Sequence, residues 1–478
     1  MNSNNKKQIK NVSWYFIGTL ATAVLGLIST PFLTRTLSQE VYAQYGLVMS
    51  FITALASFIY LGQDDAFMRF YHVRKSGFWK YFWNCIKLPI VIYCLAVLLL
   101  LEPTKTFITI IMGNGISVTE TALICVFLGI TVIQRFFLVT ARMEERAANY
   151  SISNVLTKGI FLVWVIVLSQ FRDNISFSQI LFALCLGVLV AMVVNIFAII
   201  SIPHSSNVDG TDVSCKEMLK YGLPLAITIS VSFSIPVVEK VIIRHFSDWE
   251  TLAIYTSAAI FITVMNMIKT TVSNIWTPYA FKSYQNDKNF RRNFYLIGLG
   301  LSYFVTLIVA GTIMTRRFLV LILDSSYREA FIIAPAIVCA SCFDVVATIY
   351  TIGVYLEKKT KYLIVGPIVR MIISFGSLVA LIPVWGLAAT GLCYLISIAV
   401  TRTMEMFMGI KLYSTGKSLI KEISLFGVSM IFSVMALWIH SIWFDVIAGV
   451  AIVIISTIVV WKDILNLVKS IIKRKGEV

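Results

Sequence analysis

The chain has 478 residues, 58% of them hydrophobic and only 13% charged, with a mean hydropathy of +0.85. Those values exclude a water-facing globular domain and call for a lipid bilayer as solvent. A net charge of +16 points to nucleic acid in a soluble protein, but here Lys and Arg are dispersed in short clusters between apolar runs, the pattern of membrane topogenesis.

A helix crosses a hydrocarbon core of roughly 30 Å with about 20 mostly apolar residues. The apolar runs are continuous rather than alternating, which favours helices over a barrel. In chain order they predict helices at about 12–34, 41–63, 81–101, 120–140, 151–169, 178–200, 221–243, 251–277, 293–314, 329–352, 362–382, 386–408, 422–440 and 445–463. The expected fold class is therefore an all-α integral membrane protein of about fourteen transmembrane helices. The first run follows Lys6, Lys7 and Lys10 and contains Ala21-Thr22-Ala23, as a signal peptide does. It continues unbroken to Leu33, which predicts an uncleaved helix. Fourteen crossings bring both termini to one side. Sorting the intervening segments by side puts 27 Lys and Arg with the termini and 7 opposite, so the first side is expected to be cytoplasmic. The remaining six, Lys87, Arg135, Lys158, Lys240, Lys269 and Arg370, fall within or at the ends of helices.

An internal repeat is visible. Glu40, Ala43, Tyr45 and Phe51-Ile52-Thr53 recur 210 residues later as Glu250, Ala253, Tyr255 and Phe261-Ile262-Thr263, and Tyr150, Ile152 and Lys158 recur 212 residues later as Tyr362, Ile364 and Arg370. Six helices per copy is an even number, so the copies face the same way across the membrane, with a cavity expected between two six-helix lobes. The expected organisation is an N-terminal lobe over 1–200, a linker over 201–220 rich in Ser, Asn and Asp with Pro203 and Gly210, a C-terminal lobe over 221–408, and two extra helices with a basic tail over 409–478.

Several segments match a known family in order and spacing. They are Asn11-Val12-Ser13-Trp14 through Thr34-Arg35-Thr36-Leu37, Leu61-Gly62 to Arg69-Phe70-Tyr71, Leu219-Lys220-Tyr221-Gly222-Leu223-Pro224, Trp276-Thr277-Pro278-Tyr279-Ala280-Phe281, Tyr327-Arg328-Glu329-Ala330, and Ile382-Pro383-Val384-Trp385-Gly386-Leu387-Ala388-Ala389. Over nearly its whole length the chain resembles the polysaccharide transporter family, the Wzx-type flippases of the multidrug/oligosaccharidyl-lipid/polysaccharide exporter superfamily. A departure is Glu239-Lys240, where relatives often carry Asp followed by Arg or Lys. The resemblance implies a non-enzymatic flippase of the bacterial cytoplasmic membrane that moves undecaprenyl-diphosphate-linked oligosaccharide repeat units outward for O-antigen, capsule or a similar polymer. Its implied partners are that lipid-linked oligosaccharide, membrane lipids, and the polymerase and chain-length proteins of the same pathway.

Cations inside membrane helices are costly unless they face a wet cavity or a counter-ion, which makes Arg135, Lys158, Arg370, Lys87, Lys240 and Lys269 candidates for a cationic substrate cavity. Arg pairs phosphate oxygens bidentately and Lys neutralises them as a point charge. Snorkelling to headgroups is the alternative for Lys87, Lys158 and Lys269. Lys158 and Arg370 occupy equivalent repeat positions, one cation per lobe, as a diphosphate clamp would. Asn266, Thr270, Ser273 and Asn274 form a polar stripe suited to sugar hydroxyls, with interhelical hydrogen bonding the alternative. Glu239 and Asp344 are the buried carboxylates placed to couple transport to a proton or sodium gradient. Ser230, Ser232, Ser234 and Pro236 precede Glu239 as a candidate hinge, and Asp64 and Asp65 are expected to pair with Arg69 or cap their loop. The C-x-x-C spacing of Cys339 and Cys342 falls mid-helix and reads as small packing residues. The four histidines are dispersed, so neither metal nor cofactor is expected, and no Walker-A, H-E-x-x-H or nucleophile-elbow sequence is present. Two further readings are a small-cation or drug exporter of the same superfamily and a membrane polysaccharide polymerase or ligase.

Overall fold

The computed structural model describes residues 3–72, 77–101, 106–113, 115–172, 174–200, 214–284, 290–357, 359–414 and 418–475. Among them there is no strand, because an apolar solvent offers no partner for exposed backbone and only helices satisfy it within one segment. The chain forms two compact units, Met1–Val241 and Ile242–Val478. The first holds α1 (Ser3–Thr36), α2 (Gln39–Tyr60), α3 (Gln63–Phe70), α4 (Phe78–Leu100), α5 (Thr106–Met112), α6 (Val118–Met143), α7 (Ala147–Phe171), α8 (Phe177–Ile200) and most of α9 (Cys215–Phe246). The second holds the end of α9, α10 (Trp249–Ser257), α11 (Ala259–Ser283), α12 (Phe290–Leu319), α13 (Ala330–Tyr350), α14 (Ile352–Leu356), α15 (Val365–Leu412), α16 (Ile420–Met435) and α17 (Ile442–Lys475). Most of the expected linker, 201–213, lies outside the described residues.

Twelve helical stretches among the described residues are long and apolar enough to cross a membrane. One of them, Tyr362–Leu412, has 51 residues, which at about 1.5 Å per residue is about two and a half times the thickness of a hydrocarbon core of roughly 30 Å. It breaks at Gly386, whose φ of 51° and ψ of −126° no helix contains, so it consists of two helices that meet where the expected segments 362–382 and 386–408 adjoin. Helix α16, at 16 residues, is short for a span and covers most of the expected 422–440. Two further differences lie at helix ends. The expected helix 41–63 stops at Tyr60, and a separate short helix, α3, follows. The expected helix 251–277 is divided at Ala258 into α10 and α11.

The repeat acquires a structural counterpart at the helix starts. Ser38 caps α2 by accepting from the Val41 amide, and Asp248, 210 residues on, caps α10 by accepting from the Thr251 amide. Each satisfies one of the amides a helix N-terminus leaves without an internal partner.

In the first unit α1 packs on α7, α7 on α8, α8 on α6, and α6 on α2. Polar side chains fasten these apolar surfaces. Ser151 donates to the Trp14 carbonyl at 2.8 Å, and Asn195 donates to Ser153 at 2.7 Å, with Ser153 in turn donating to the Ala191 carbonyl at 3.2 Å. Many Ser and Thr hydroxyls donate to the carbonyl four residues back, as Thr22 does to Gly18 and Ser232 to Thr228, which satisfies them without water. In the second unit α13 is central, packed by α11, α12 and α15. Its small residues, including Ala334, Ala336, Cys339, Ala340 and Cys342, are fully buried and let neighbouring backbones approach. Arg316, wholly buried in α12, donates to the Ala436 and Ile439 carbonyls at 2.5 and 2.6 Å and pairs with Asp445 of α17 at 2.6 Å.

Candidate functional site

The most developed site lies inside the first unit and begins where α2 ends. Leu61 caps α2 in the left-handed region (φ 43°), Gly62 follows at φ 69°, and α3 then leaves in a new direction. A β-branched or bulky residue resists that region, and for any L-residue it costs about 1–2 kcal/mol, so Gly62 is the permissive member of the pair. Gly62 is also required for space, because its backbone lies against that of Gly222 in α9 so closely that neither position has room for a Cβ. Aromatic packing holds α3 in place. Phe67 is fully buried among Tyr71, Tyr81, Phe82 and Phe136, and Tyr81 donates to its carbonyl at 2.9 Å.

This turn carries Asp64 and Asp65 to the wall of a cavity of about 420 Å³. Arg135 of α6 donates to Asp64 through Nε at 2.9 Å and Nη2 at 2.8 Å, both to the same carboxylate oxygen. The expected pairing of Asp64 with Arg69 is replaced by pairing with Arg135, because the chain turns at Leu61–Gly62 and brings Asp64 against α6. Asp64 is nearly buried, whereas 41% of the Arg135 side chain is exposed, so the guanidinium keeps an open edge on the cavity. Lys158 of α7 lines the same cavity and donates to the Thr22 carbonyl of α1 at 3.3 Å. Among the described residues no carboxylate pairs with it. Gln134, Asn154, Thr157, Thr53, Ser57 and Tyr60 supply neutral donors and acceptors. Two carboxylates and two cations leave the wall formally neutral. Burial and the adjacent Asp64 hold the Asp65 carboxyl above the usual carboxylate range, against the pull of Arg135.

Two of the six candidate cations, Arg135 and Lys158, therefore share this cavity. Lys240 lies elsewhere in the unit, donating from α9 to the Gly46 carbonyl at 2.6 Å and to Ser50 at 2.9 Å, which ties α9 to α2. Its neighbour Glu239 is buried. Lys87 is exposed on α4, with Nζ 3.5 Å from the Asn84 amide oxygen. In the second unit Lys269 pairs with Asp344 at 2.6 Å, Arg402 pairs with the other Asp344 oxygen at 2.6 Å, and Arg402 also reaches Glu405 at 2.5 Å. Asp344 is thus the hub joining α11, α13 and α15. Arg370 lies over the Tyr394 ring at 5.5 Å and within electrostatic reach of Asp344. On α11, Asn266, Thr270 and Asn274 are exposed and Ser273 is half-buried, with Thr270 donating to the Asn266 carbonyl. Cys339 and Cys342 are buried and not joined as a disulfide. Among the described residues no group of three His, Cys, Asp or Glu is arranged to hold a metal.

Sequence reasoning misses the cavity role of Asp64 and the pairing of Arg402. Sorting cations by segment groups Arg402 with a loop, although its place within an apolar helix is the available signal.

Residues 9–283 match the model of the family described as polysaccharide biosynthesis protein, more than half of the chain. The chain belongs to that family. Among curated protein sequences none matches it. A solved structure of lipid II flippase MurJ in an inward closed conformation superposes with a TM-score of 0.67 at 16% identity, covering 94% of this chain and 99% of that one. An inward-facing multidrug resistance MATE transporter of the MOP superfamily gives 0.65 at 15% identity over 83% and 96% of the two chains. The MATE multidrug transporter DinF-BH gives 0.58 at 13% identity over 85% and 95%. At these identities the likeness is one of fold. This family member shares the fold of those solved structures.

Proposed function

We propose that the chain is a flippase that carries undecaprenyl-diphosphate-linked oligosaccharide repeat units from the cytoplasmic to the outer face of the bacterial cytoplasmic membrane by ion-coupled alternating access. The polymer served is O-antigen, capsule or a similar exopolysaccharide. Both termini are cytoplasmic, and two six-helix lobes, 1–200 and 221–408, work as the moving halves, joined by 201–220 and followed by 409–478. Glu239 is the coupling carboxylate, and the Ser230 to Pro236 stretch is the hinge.

The observation that carries this reading is the cavity within a membrane-spanning unit where Arg135 and Lys158 stand among hydroxyls and amides. Its volume falls in the range of small-ligand sites, about 300–1,000 Å³, and suits a diphosphate with its first sugar. The family match and a fold shared with a solved lipid II flippase support the same reading. A carrier needs such a mixture, since the cations offset diphosphate charge in a poor dielectric and the neutral groups exchange hydrogen bonds with sugar hydroxyls.

The test is complementation of a deletion strain with Arg135→Gln/Lys158→Gln. Loss of two charge-assisted contacts is expected to lower surface polymer more than tenfold, with repeat units accumulating on the cytoplasmic face. Normal polymer display would overturn the reading. Asp64 and Asp65 on the same wall favour a second reading, export of an organic cation, which predicts that the double variant keeps or gains export of a cationic dye.

A further inference from the structure

A cavity that offers cations inside a membrane has a difficulty that follows from its solvent. Bilayers contain anionic phospholipids whose phosphodiester headgroups carry one negative charge, and an open Arg and Lys attract them at the concentration of the membrane itself. A substrate present in far smaller amount then meets an occupied site. In this cavity one of the two cations is already engaged from within the protein, because Asp64 holds Arg135 through Nε and Nη2 on a single oxygen.

Resting on the flippase reading of the cavity, we propose that Asp64 is a specificity-determining residue: its carboxylate occupies the anion position on Arg135, excludes monoanionic phosphodiester headgroups, and yields to a diphosphate. A carboxylate tethered to α3 acts at a high local concentration, so an incoming anion displaces it only by gaining more than one equivalent contact. A phosphodiester replaces one charge with one charge and gains little. A diphosphate brings about two charges, engages Arg135 bidentately, and extends to Lys158, which among the described residues has no carboxylate partner. The open edge of Arg135 gives the diphosphate a first contact before Asp64 leaves.

Displacement also has a mechanical outlet. Asp64 lies in the first turn of α3, two residues beyond Gly62, and α3 is joined to α2 only through the left-handed pair Leu61 and Gly62. Releasing the carboxylate removes the polar tie at the start of α3 and leaves the aromatic packing around Phe67 and, at the far end of the helix, the hydrogen bond from Tyr71 to Glu144. Occupancy of the cavity is thereby converted into freedom at one helix junction.

The full chain in nanodiscs serves as the test, with undecaprenyl diphosphate as probe in bilayers of phosphatidylcholine alone or half phosphatidylglycerol. Wild type is expected to bind the probe equally in both. Asp64→Asn is expected to bind about threefold more tightly in phosphatidylcholine, the worth of one partly exposed ion pair, and to lose that gain in phosphatidylglycerol. Arg135→Gln is expected to weaken binding about tenfold, and Asp64→Asn/Arg135→Gln to match it, because Asp64 acts through Arg135. Asp64→Asn binding unchanged or weakened, while Arg135→Gln and Lys158→Gln still lose affinity, overturns the placeholder and leaves the flippase reading standing. Arg135→Gln and Lys158→Gln that bind as wild type overturn both. Asp64→Ser and wild-type hydrogen exchange guard against misfolding of the first variant: amides of residues 61–70 are expected to exchange faster with undecaprenyl diphosphate bound, and unchanged or slower exchange counts against the inference.

Discussion

Asp65 illustrates how little charge an apolar wall tolerates. Its carboxyl is held above the normal range by burial and by Asp64. A raised folded-state value means that its contribution is fully present below the unfolded value and is lost as pH rises through the folded one. Asp65→Asn, which does not titrate, is therefore expected to be more heat-stable than wild type at pH 7, with the difference shrinking as pH falls toward about 3, below the unfolded value, as thermal aggregation across that range reports. Arg316 is the opposite case, a wholly buried cation with two carbonyls and Asp445 around it. Arg316→Met leaves the Asp445 charge buried with only the half-exposed Arg317 at 3.6 Å, and is expected to cost about 3 kcal/mol. Arg316→Met/Asp445→Leu is expected to regain most of it in the same assay. Arg135 was legible in the sequence because a cation within an apolar run stands out. Its partner was not, because Asp64 is 71 residues away and next to a nearer cation, Arg69. Pairing across helices depends on how a chain turns, which no local pattern records.

At the scale of elements, hydrophobic length identified the spans, while their interruptions depended on single backbone positions. Gly386 lies in a stretch that is apolar on either side, and at Leu61-Gly62 the change to Gln63-Asp64-Asp65 marks an end to the apolar run without showing that a new helix turns off there. At Gly386 the positive φ divides one apolar stretch of 51 residues into two helices. At Gly62 it creates α3, and here packing adds to conformation. Gly62→Ala meets both the φ of 69° and the Gly222 backbone, so it is expected to destabilise by more than the roughly 1–2 kcal/mol of the conformational cost alone. Gly386→Ala has nothing within 4 Å of its Cβ position, but its φ of 51° with ψ of −126° lies outside the left-handed α region in space that only Gly enters readily, so its loss of stability reports backbone strain without a clash. Thermal stability of the two variants side by side separates the two effects. The repeat also shows its limit here. The caps Ser38 and Asp248 correspond, but α11 continues as helix through the positions that match Leu61 and Gly62, so the acid-bearing turn belongs to one half alone.

For the whole molecule, the distribution of Lys and Arg is the strongest signal of orientation, and it is independent of any site. With 27 cations expected on one side and 7 on the other, alkaline phosphatase fused after Lys475 is expected to be inactive, and fused after Arg172 active. The reverse pattern would invert the topology. Many cations that matter to the interior were hidden in that same count, because tallying by segment cannot separate Arg402, paired with Asp344 and Glu405, from a headgroup anchor. The Arg316 to Asp445 pair carries a further consequence, for biogenesis. Asp445 follows Arg316 by 129 residues, so at roughly 5–20 residues per second the ribosome delivers the cation about ten seconds before its counter-ion. Throughout that interval α12 holds a cation without its counter-ion, met late by the Ala436 and Ile439 carbonyls and neutralised when α17 brings Asp445. A nascent protein cut short before α17 thus keeps the Ala436 and Ile439 carbonyls for Arg316 but presents it to the cell's quality control without a counter-ion.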